Sequence, residues 1–337
     1  MSTLATNAIT DASGGNTATI NGYTPTLSNM AGRNRIINGD MRISQRGASP
    51  TIGGGGDYSV DRFYNYYSGV TYTSVQSTEA PAGFSNSLLL TVTTTASVPT
   101  YSFFGQKIEG FNTADLKWGT ADAQSVTLSF WVRSSVAGVY SLSLGNADGN
   151  RAYPITYTIS SANTWQQISV TIPGDTSGTW YTNNNIGIMI RWNMGTASAG
   201  RLGTSGSWQS ANLDGATGST GSNNWAYING ATFYITGVQL EAGSVATPFE
   251  HRMYGQELAL CQRYYELLGR VRGGISGVSG THYATYSFKQ TKRATPTVSA
   301  TTAIYDTIAS IDSASVSISR LNNPADTSGT VSADAEL

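Results

Sequence analysis

What most constrains this chain is a period-two alternation of apolar and polar residues that returns in segment after segment, with no long helical pattern between them. It runs through Ser87–Thr93, Ser125–Arg133, Gly138–Leu144, Ile155–Ile159, Trp165–Ile172, Ile186–Arg191 and Ala231–Leu240. Successive side chains of a strand point to opposite faces, so each segment reads as a strand with one buried and one solvated face. Turn signals separate them at short intervals, among them Gly53–Asp57, Ala147–Asn150 and Pro173–Gly178, rich in residues that tolerate positive φ. Strands that follow one another without crossover helices pair antiparallel, which predicts an all-β jelly-roll sandwich.

Length allows two or three domains in 337 residues. Charged residues make up only 12%, about half the usual fraction, and Gly, Ser, Thr, Asn and Tyr replace them, as in a β-rich surface protein. Net charge is −1, with no Lys/Arg run, so a counterion-release mode of nucleic-acid binding has nothing to rest on. A single cysteine, Cys261, excludes an intrachain disulfide framework and fits assembly in a reducing cytoplasm. No stretch is apolar enough for membrane insertion, and no basic, apolar leader pattern opens the chain.

The phrases Asn34-Arg-Ile-Ile-Asn-Gly-Asp-Met-Arg-Ile-Ser-Gln-Arg-Gly47, Tyr58-Ser-Val-Asp-Arg-Phe63, Gly237-Val-Gln-Leu-Glu-Ala-Gly-Ser-Val-Ala-Thr-Pro-Phe-Glu-His-Arg252 and Gly255-Gln-Glu-Leu-Ala-Leu-Cys-Gln-Arg-Tyr-Tyr-Glu-Leu-Leu268 resemble segments of the tail-fibre and related appendage proteins of tailed bacteriophages. The Trp165 phrase also looks like an inner strand of carbohydrate-binding-module sandwiches. The resemblance implies four parts: an N-terminal virion-attachment arm over 1–33, a carbohydrate-binding-module-like jelly roll over 34–252, a connecting helix over 253–269, and a small C-terminal β-domain over 270–337. It further implies a homotrimer joined to other virion proteins of the phage tail. The arm carries Tyr23 and Pro25 as its candidate attachment residues; a plain disordered tail is the alternative. On the helix Leu258, Cys261, Tyr265 and Leu268 fall on one face and are the candidate trimer interface, against the alternative of a helix packed within one chain.

The run from Met194 to Asn224 is too long for an ordinary connection. Arg191, Trp192, Arg201, Trp208 and Trp225 flank or occupy it. Indole faces beside planar polar groups suit sugar rings, so these five are the candidate glycan contacts, with Trp208 foremost. Trp192 and Trp225 also read as strand-edge core residues, the alternative for those two. Tyr283, Tyr286, Tyr305 and Arg320 form a rival receptor-contact region.

Catalytic chemistry has little to stand on. Two histidines, His251 and His282, show no metal-ligand spacing, and no nucleophile elbow or phosphate loop occurs. Asp57 with Asp61, Asp115 with Asp122 and Asp148 with Asp175 are the pairs a polysaccharide-cleaving tailspike would need, yet all sit beside turn residues. No cofactor is expected; the resemblance to carbohydrate-binding jelly rolls implies Asp40 and Glu241 as possible ligands of a structural calcium, although the strand Tyr234–Glu241 lacks the adjacent acid usual there. The expectation is a non-enzymatic fibre that holds host surface polysaccharide, with a purely structural head or tail protein, or a depolymerase, as alternatives.

Overall fold

The computed structural model describes residues 32–50, 52–95, 99–219, 225–270, 281–300, 307–321 and 330–337. Tyr23 and Pro25, with nearly all of the proposed arm, lie outside the described residues.

The alternating segments form two antiparallel sheets packed face to face. One has six strands in the order β1 (Gly55–Tyr58), β2 (Phe63–Ser68), β5 (Tyr101–Glu109), β10 (Ile186–Asn193), β7 (Gly138–Gly145) and β8 (Ala152–Ile159). The other has five, in the order β3 (Thr71–Ser77), β4 (Ser87–Thr94), β13 (Thr232–Ala242), β6 (Val126–Ser134) and β9 (Gln166–Ile172). Both sheets join strands distant in sequence, β5 with β10 in one and β4 with β13 in the other, so this is the jelly-roll sandwich that the alternation predicts.

Inward-facing residues of both sheets fuse into one apolar core that includes Phe63, Tyr72, Leu90, Phe104, Phe130, Leu142, Ile190 and Phe233. Trp192 lies within it, stacked on Phe104 with ring centroids 5.3 Å apart and edge-on to Phe130 at 5.7 Å. Trp225 meets Tyr72 edge-on at 5.8 Å. Both indoles are fully buried. The glycan-contact expectation for Trp192 and Trp225 is therefore corrected: each fills space between the sheets and offers no face to a ligand.

The connecting helix is shorter than expected. It spans Tyr254–Gln262 (α1), and the chain then turns into strand β14 (Tyr265–Arg270). Strand β14 pairs with β19 (Thr330–Asp334), Tyr265 opposite Asp334, and this pairing ends the helix that local periodicity would have continued. The four proposed interface residues thus do not share one face. Leu258 and Cys261 pack with Ile37, Ile43 and Tyr264 in a small core between helix and sandwich. Tyr265 lies under the Arg46 guanidinium, 3.6 Å from the ring centroid, and Leu268 packs against the Val298 and Val331 cluster. Cys261 is fully buried and Tyr265 nearly so, within the chain itself.

Strand β19 is the centre of a three-stranded sheet, with β14 on one side and β16 (Thr297–Ala300) on the other. A second such sheet holds β15 (Thr281–Ser287), β18 (Ser315–Leu321) and β17 (Thr307–Ile311). Of the rival contact residues, Tyr286 packs against the apolar cluster of Phe288 and Val316, and Tyr305 lies outside the described residues.

The segment after β19 returns to the sandwich. Arg62, in the left-handed region at φ 74°, pairs with Glu336, donates to the Lys107 carbonyl at 2.6 Å and sits 3.5 Å over the Tyr264 ring. Arg46 pairs with Asp334 at 3.0 Å. Glu109, at the end of β5, accepts from Arg263 Nε and Nη2 at 2.9 and 2.6 Å and from the Tyr264 hydroxyl at 2.6 Å.

Candidate functional site

The phrases that resemble phage appendages fold into one clasp. Glu250 accepts from the backbone amides of Gly32 and Asn34 at 2.8 and 2.7 Å, and Arg252 donates to the Ile36 carbonyl at 3.0 Å. Gly39 lies flat on β13, where a Cβ would fall 2.1 Å from the Val238 carbonyl oxygen. Glu241 accepts from Gln239, from the Thr247 amide and from the Thr247 hydroxyl. Asp40 pairs with Arg42. The two residues considered for calcium are each engaged locally, and among the described residues no three His, Cys, Asp or Glu side chains cluster.

On the outer face of the six-stranded sheet, alternation exposes a row of aromatic rings. Register sets Tyr66 opposite Phe103 and Tyr64 opposite Gly105. The Tyr66 ring stacks on Phe103 with centroids 5.6 Å apart and planes 9° from parallel, and it meets Tyr101 at 5.4 Å. Tyr66 and Tyr101 keep part of their rings in solvent, whereas Tyr64 and Phe103 are buried beneath. Sequence reading does not single out Tyr66 and Tyr101, which stand 35 positions apart. Their proximity exists only through β2–β5 pairing.

One side of this platform is walled by the long loop, which folds back across β10 and β7. Gly215 makes that approach possible, since a Cβ there would lie 2.4 Å from Ser141 Oγ and 2.8 Å from the Asn193 side chain. The short β11 (Leu202–Gly203) pairs in parallel with β12 (Gly215–Ala216) and closes the loop on itself. Asp214 is fully buried inside it. Its carboxylate accepts from Arg201 Nε and Nη2 at 2.9 and 2.6 Å and from Arg191 Nη1 at 3.3 Å. Burial lifts the Asp214 carboxyl above its ordinary range, and the Arg201 and Arg191 guanidiniums oppose that lift only in part. Arg191 also donates to Asn212 at 2.6 Å and lies 5.3 Å from the Phe103 ring centroid. Of the nominated arginines, Arg201 remains partly exposed at the loop surface, while Arg191 is buried. On the other side Lys107 approaches the Tyr64 ring at 4.9 Å; burial, with the Arg62 and Arg191 charges, lowers its pKa to about 8.

Trp208 stands elsewhere. It lies with Trp118 at 5.4 Å and Trp180 at 5.5 Å, edge-on to both, touches Tyr153 at 5.2 Å, and donates its indole N–H to the Pro173 carbonyl at 2.8 Å. Gln209 exchanges two backbone hydrogen bonds of 2.9 Å with Ala152 on the β8 edge. Trp208 therefore wedges the open edge between β8 and the end of β9, half-buried, and the structure does not bring it to Arg191 and Arg201.

The carboxylate pairs considered for cleavage are individually occupied: Asp61 by Gln45, Asp57 by the Gly53 amide, Asp115 by Arg35, Asp175 by Arg151, and Asp148 by the Tyr181 hydroxyl, with Asp122 beside Lys117.

No family model matches this chain, and no curated protein matches it. Among solved structures it is similar to the enzymatically active domain of tailspike protein 4 of bacteriophage CBA120, at 16% identity and a TM-score of 0.34, over 58% of this chain and 21% of that one. It is also similar to a family 11 carbohydrate-binding module of Clostridium thermocellum in complex with a mixed-linked tetrasaccharide, at 13% identity and a TM-score of 0.28, over 60% of this chain and 97% of that one. A family 4 carbohydrate-binding module is a third such neighbour, at 14% identity and a TM-score of 0.32, over 61% of this chain and 98% of that one. The chain spans about a fifth of the tailspike polypeptide.

Proposed function

We propose that this protein is a non-enzymatic appendage of a phage virion, a homotrimeric tail fibre that holds host surface glycan on the outer face of its six-stranded sheet. The observation that carries the reading is the Tyr66–Tyr101 platform beside the Arg201–Asp214 wall. A sugar's apolar face can lie on half-exposed tyrosine rings while planar charged groups at the edge meet its hydroxyls. Cleaving would need two carboxyl groups facing one bond about 5–10 Å apart, whereas the carboxylates considered each engage a separate local partner, and we therefore read the protein as holding its glycan. Virion origin, attachment through residues 1–33 and trimer formation rest on the phrases that resemble phage appendages. Met253 and Tyr254, 83% and 55% exposed at the start of α1, are among the described apolar side chains open for self-association. Weak sites, each about millimolar, would act together through avidity on a dense polymer.

The test is binding and viscosity on a panel of purified bacterial surface polysaccharides, with oligomeric mass from light scattering. Saturable binding without chain shortening is expected, weakened about tenfold by Tyr66→Ala or Tyr101→Ala. Trp208→Ala should lower stability more than binding. Falling viscosity would make the protein a depolymerase, and absence of binding by a folded assembly across the panel would leave a purely structural role.

A further inference from the structure

The tyrosine platform is one end of a longer row of rings. On the outer face of the six-stranded sheet they follow one another from Tyr101 to Tyr66, Phe103, Tyr64 and Tyr58, with centroids 5.4, 5.6, 6.2 and 6.1 Å apart. Register sets Tyr66 opposite Phe103 and Tyr58 opposite Tyr64, so alternation turns all five to the same side. A glycan chain could run the length of such a row, yet its Tyr58 end is already taken by the protein itself.

Lys107, on the same face of β5, holds its ammonium 4.9 Å from the centre of the Tyr64 ring and donates to the Leu337 carbonyl. The Tyr58 hydroxyl donates to the same carbonyl at 3.0 Å. The Arg46 guanidinium lies against the Tyr58 ring, 5.2 Å from its centre, and pairs with Asp334 at 3.0 Å and Glu336 at 3.5 Å. Tyr64 is left only 2% exposed. Each of these two rings thus carries a cation of the chain, and a cation–π contact uses the kind of ring face on which a sugar stacks.

The strap over this end is held from several sides. Glu336 pairs with Arg62, Arg293 donates to the Ala335 and Glu336 carbonyls at 3.0 and 3.1 Å, and the Ala335 amide donates to the Tyr264 carbonyl at 2.7 Å. A ligand would have to break these bonds together to displace it, so a glycan lying along the row from Tyr101 meets a stop beyond Tyr66. We infer, resting on the platform as the glycan site, that the groove is blind at the strap end and seats the terminus of a polysaccharide chain, not a stretch of its interior. Lys107 and the strap are then specificity determinants, because they set where the chain must stop.

Counting bound protein per polymer chain tests this. Sedimentation would use saturating full-chain protein with narrow size fractions of each linear polysaccharide that binds in the panel, plus pullulan and hyaluronate as neutral and acidic linear probes. With end recognition the count stays the same as the polymer lengthens, and a short oligosaccharide cut from it competes as well, mole for mole, as the whole chain. Lys107→Ala, which uncovers the Tyr64 ring, should let the count rise with length; should that variant unfold, the wild-type count decides alone. A wild-type count that grows in proportion to length overturns the inference. A fixed count in folded Lys107→Ala removes the strap end as the cause and overturns it as well. Tyr66→Ala should weaken binding about tenfold at every length. Binding that Tyr66→Ala leaves intact, or no binding of any probe, defeats the platform reading itself whatever the count, and the blind end falls with it.

Discussion

Replacing Glu109 with Gln tests how the β14–β19 region is held to the sandwich. Glu109 is 1% exposed and accepts three hydrogen bonds, two from Arg263 and one from Tyr264. The amide keeps the shape and one acceptor but removes the charge. Losing two charge-assisted bonds would cost about 3–6 kcal/mol if both partners stayed dry. The Arg263 side chain is 33% exposed and regains water, so the expected loss falls to about 2–3 kcal/mol. The pH dependence gives a second readout. Burial raises the Glu109 carboxyl, but the hydrogen bonds from Arg263 and Tyr264 outweigh it and hold the group below its ordinary value. Its contribution is therefore fully present above the unfolded-state value of about 4.3 and is lost as pH falls through the lower folded-state value. Urea unfolding followed by tryptophan fluorescence should show a gap between wild type and Glu109→Gln that is constant from about pH 5 to 8 and shrinks below about pH 4. A gap under about 0.5 kcal/mol at neutral pH, or one that widens on acidification, would refute the reasoning.

Two further outcomes follow from local geometry. Gly39→Ala must displace the Val238 carbonyl, which accepts from Asn34 Nδ2 at 3.0 Å, and the Val238 amide that donates to Gly39 at 2.9 Å; a loss of about 2–4 kcal/mol is expected in chemical denaturation, and a loss below about 1 kcal/mol would contradict the close approach. Cys261 is fully buried, and burial together with the Asp61 and Glu257 charges pushes its thiol well up, so a disulfide reagent at pH 8 should modify it only after denaturant is added, and prompt labelling of folded protein would count against the packing.

The sandwich was legible because a half-buried strand writes its period into the sequence, as in Val126–Ser134, where Leu128, Phe130 and Val132 face the core and Trp131 and Arg133 do not. The end of the helix was not legible. Residues Cys261 to Leu268 satisfy a helical stripe, and only the pairing of Tyr265–Arg270 with a strand some 60 residues later overrides it. The long loop drew attention by its length, but which sheet face it covers depends on Gly215 meeting Ser141 and Asn193, a contact no local pattern records. Trp192 illustrates the same limit: an indole at a strand end reads alike whether it faces the core or a ligand.

Strand β19 lies between β14 and β16, which do not pair with each other. During synthesis both neighbours therefore emerge before the strand that joins them, and each presents unpaired backbone edges to whatever is nearby. A chaperone, or a nascent copy from the same message, has access to those edges for the time taken to translate residues 301–329. The order of the sheet thus makes β19 a late keystone, and places the interval of greatest aggregation risk near the end of translation of this region.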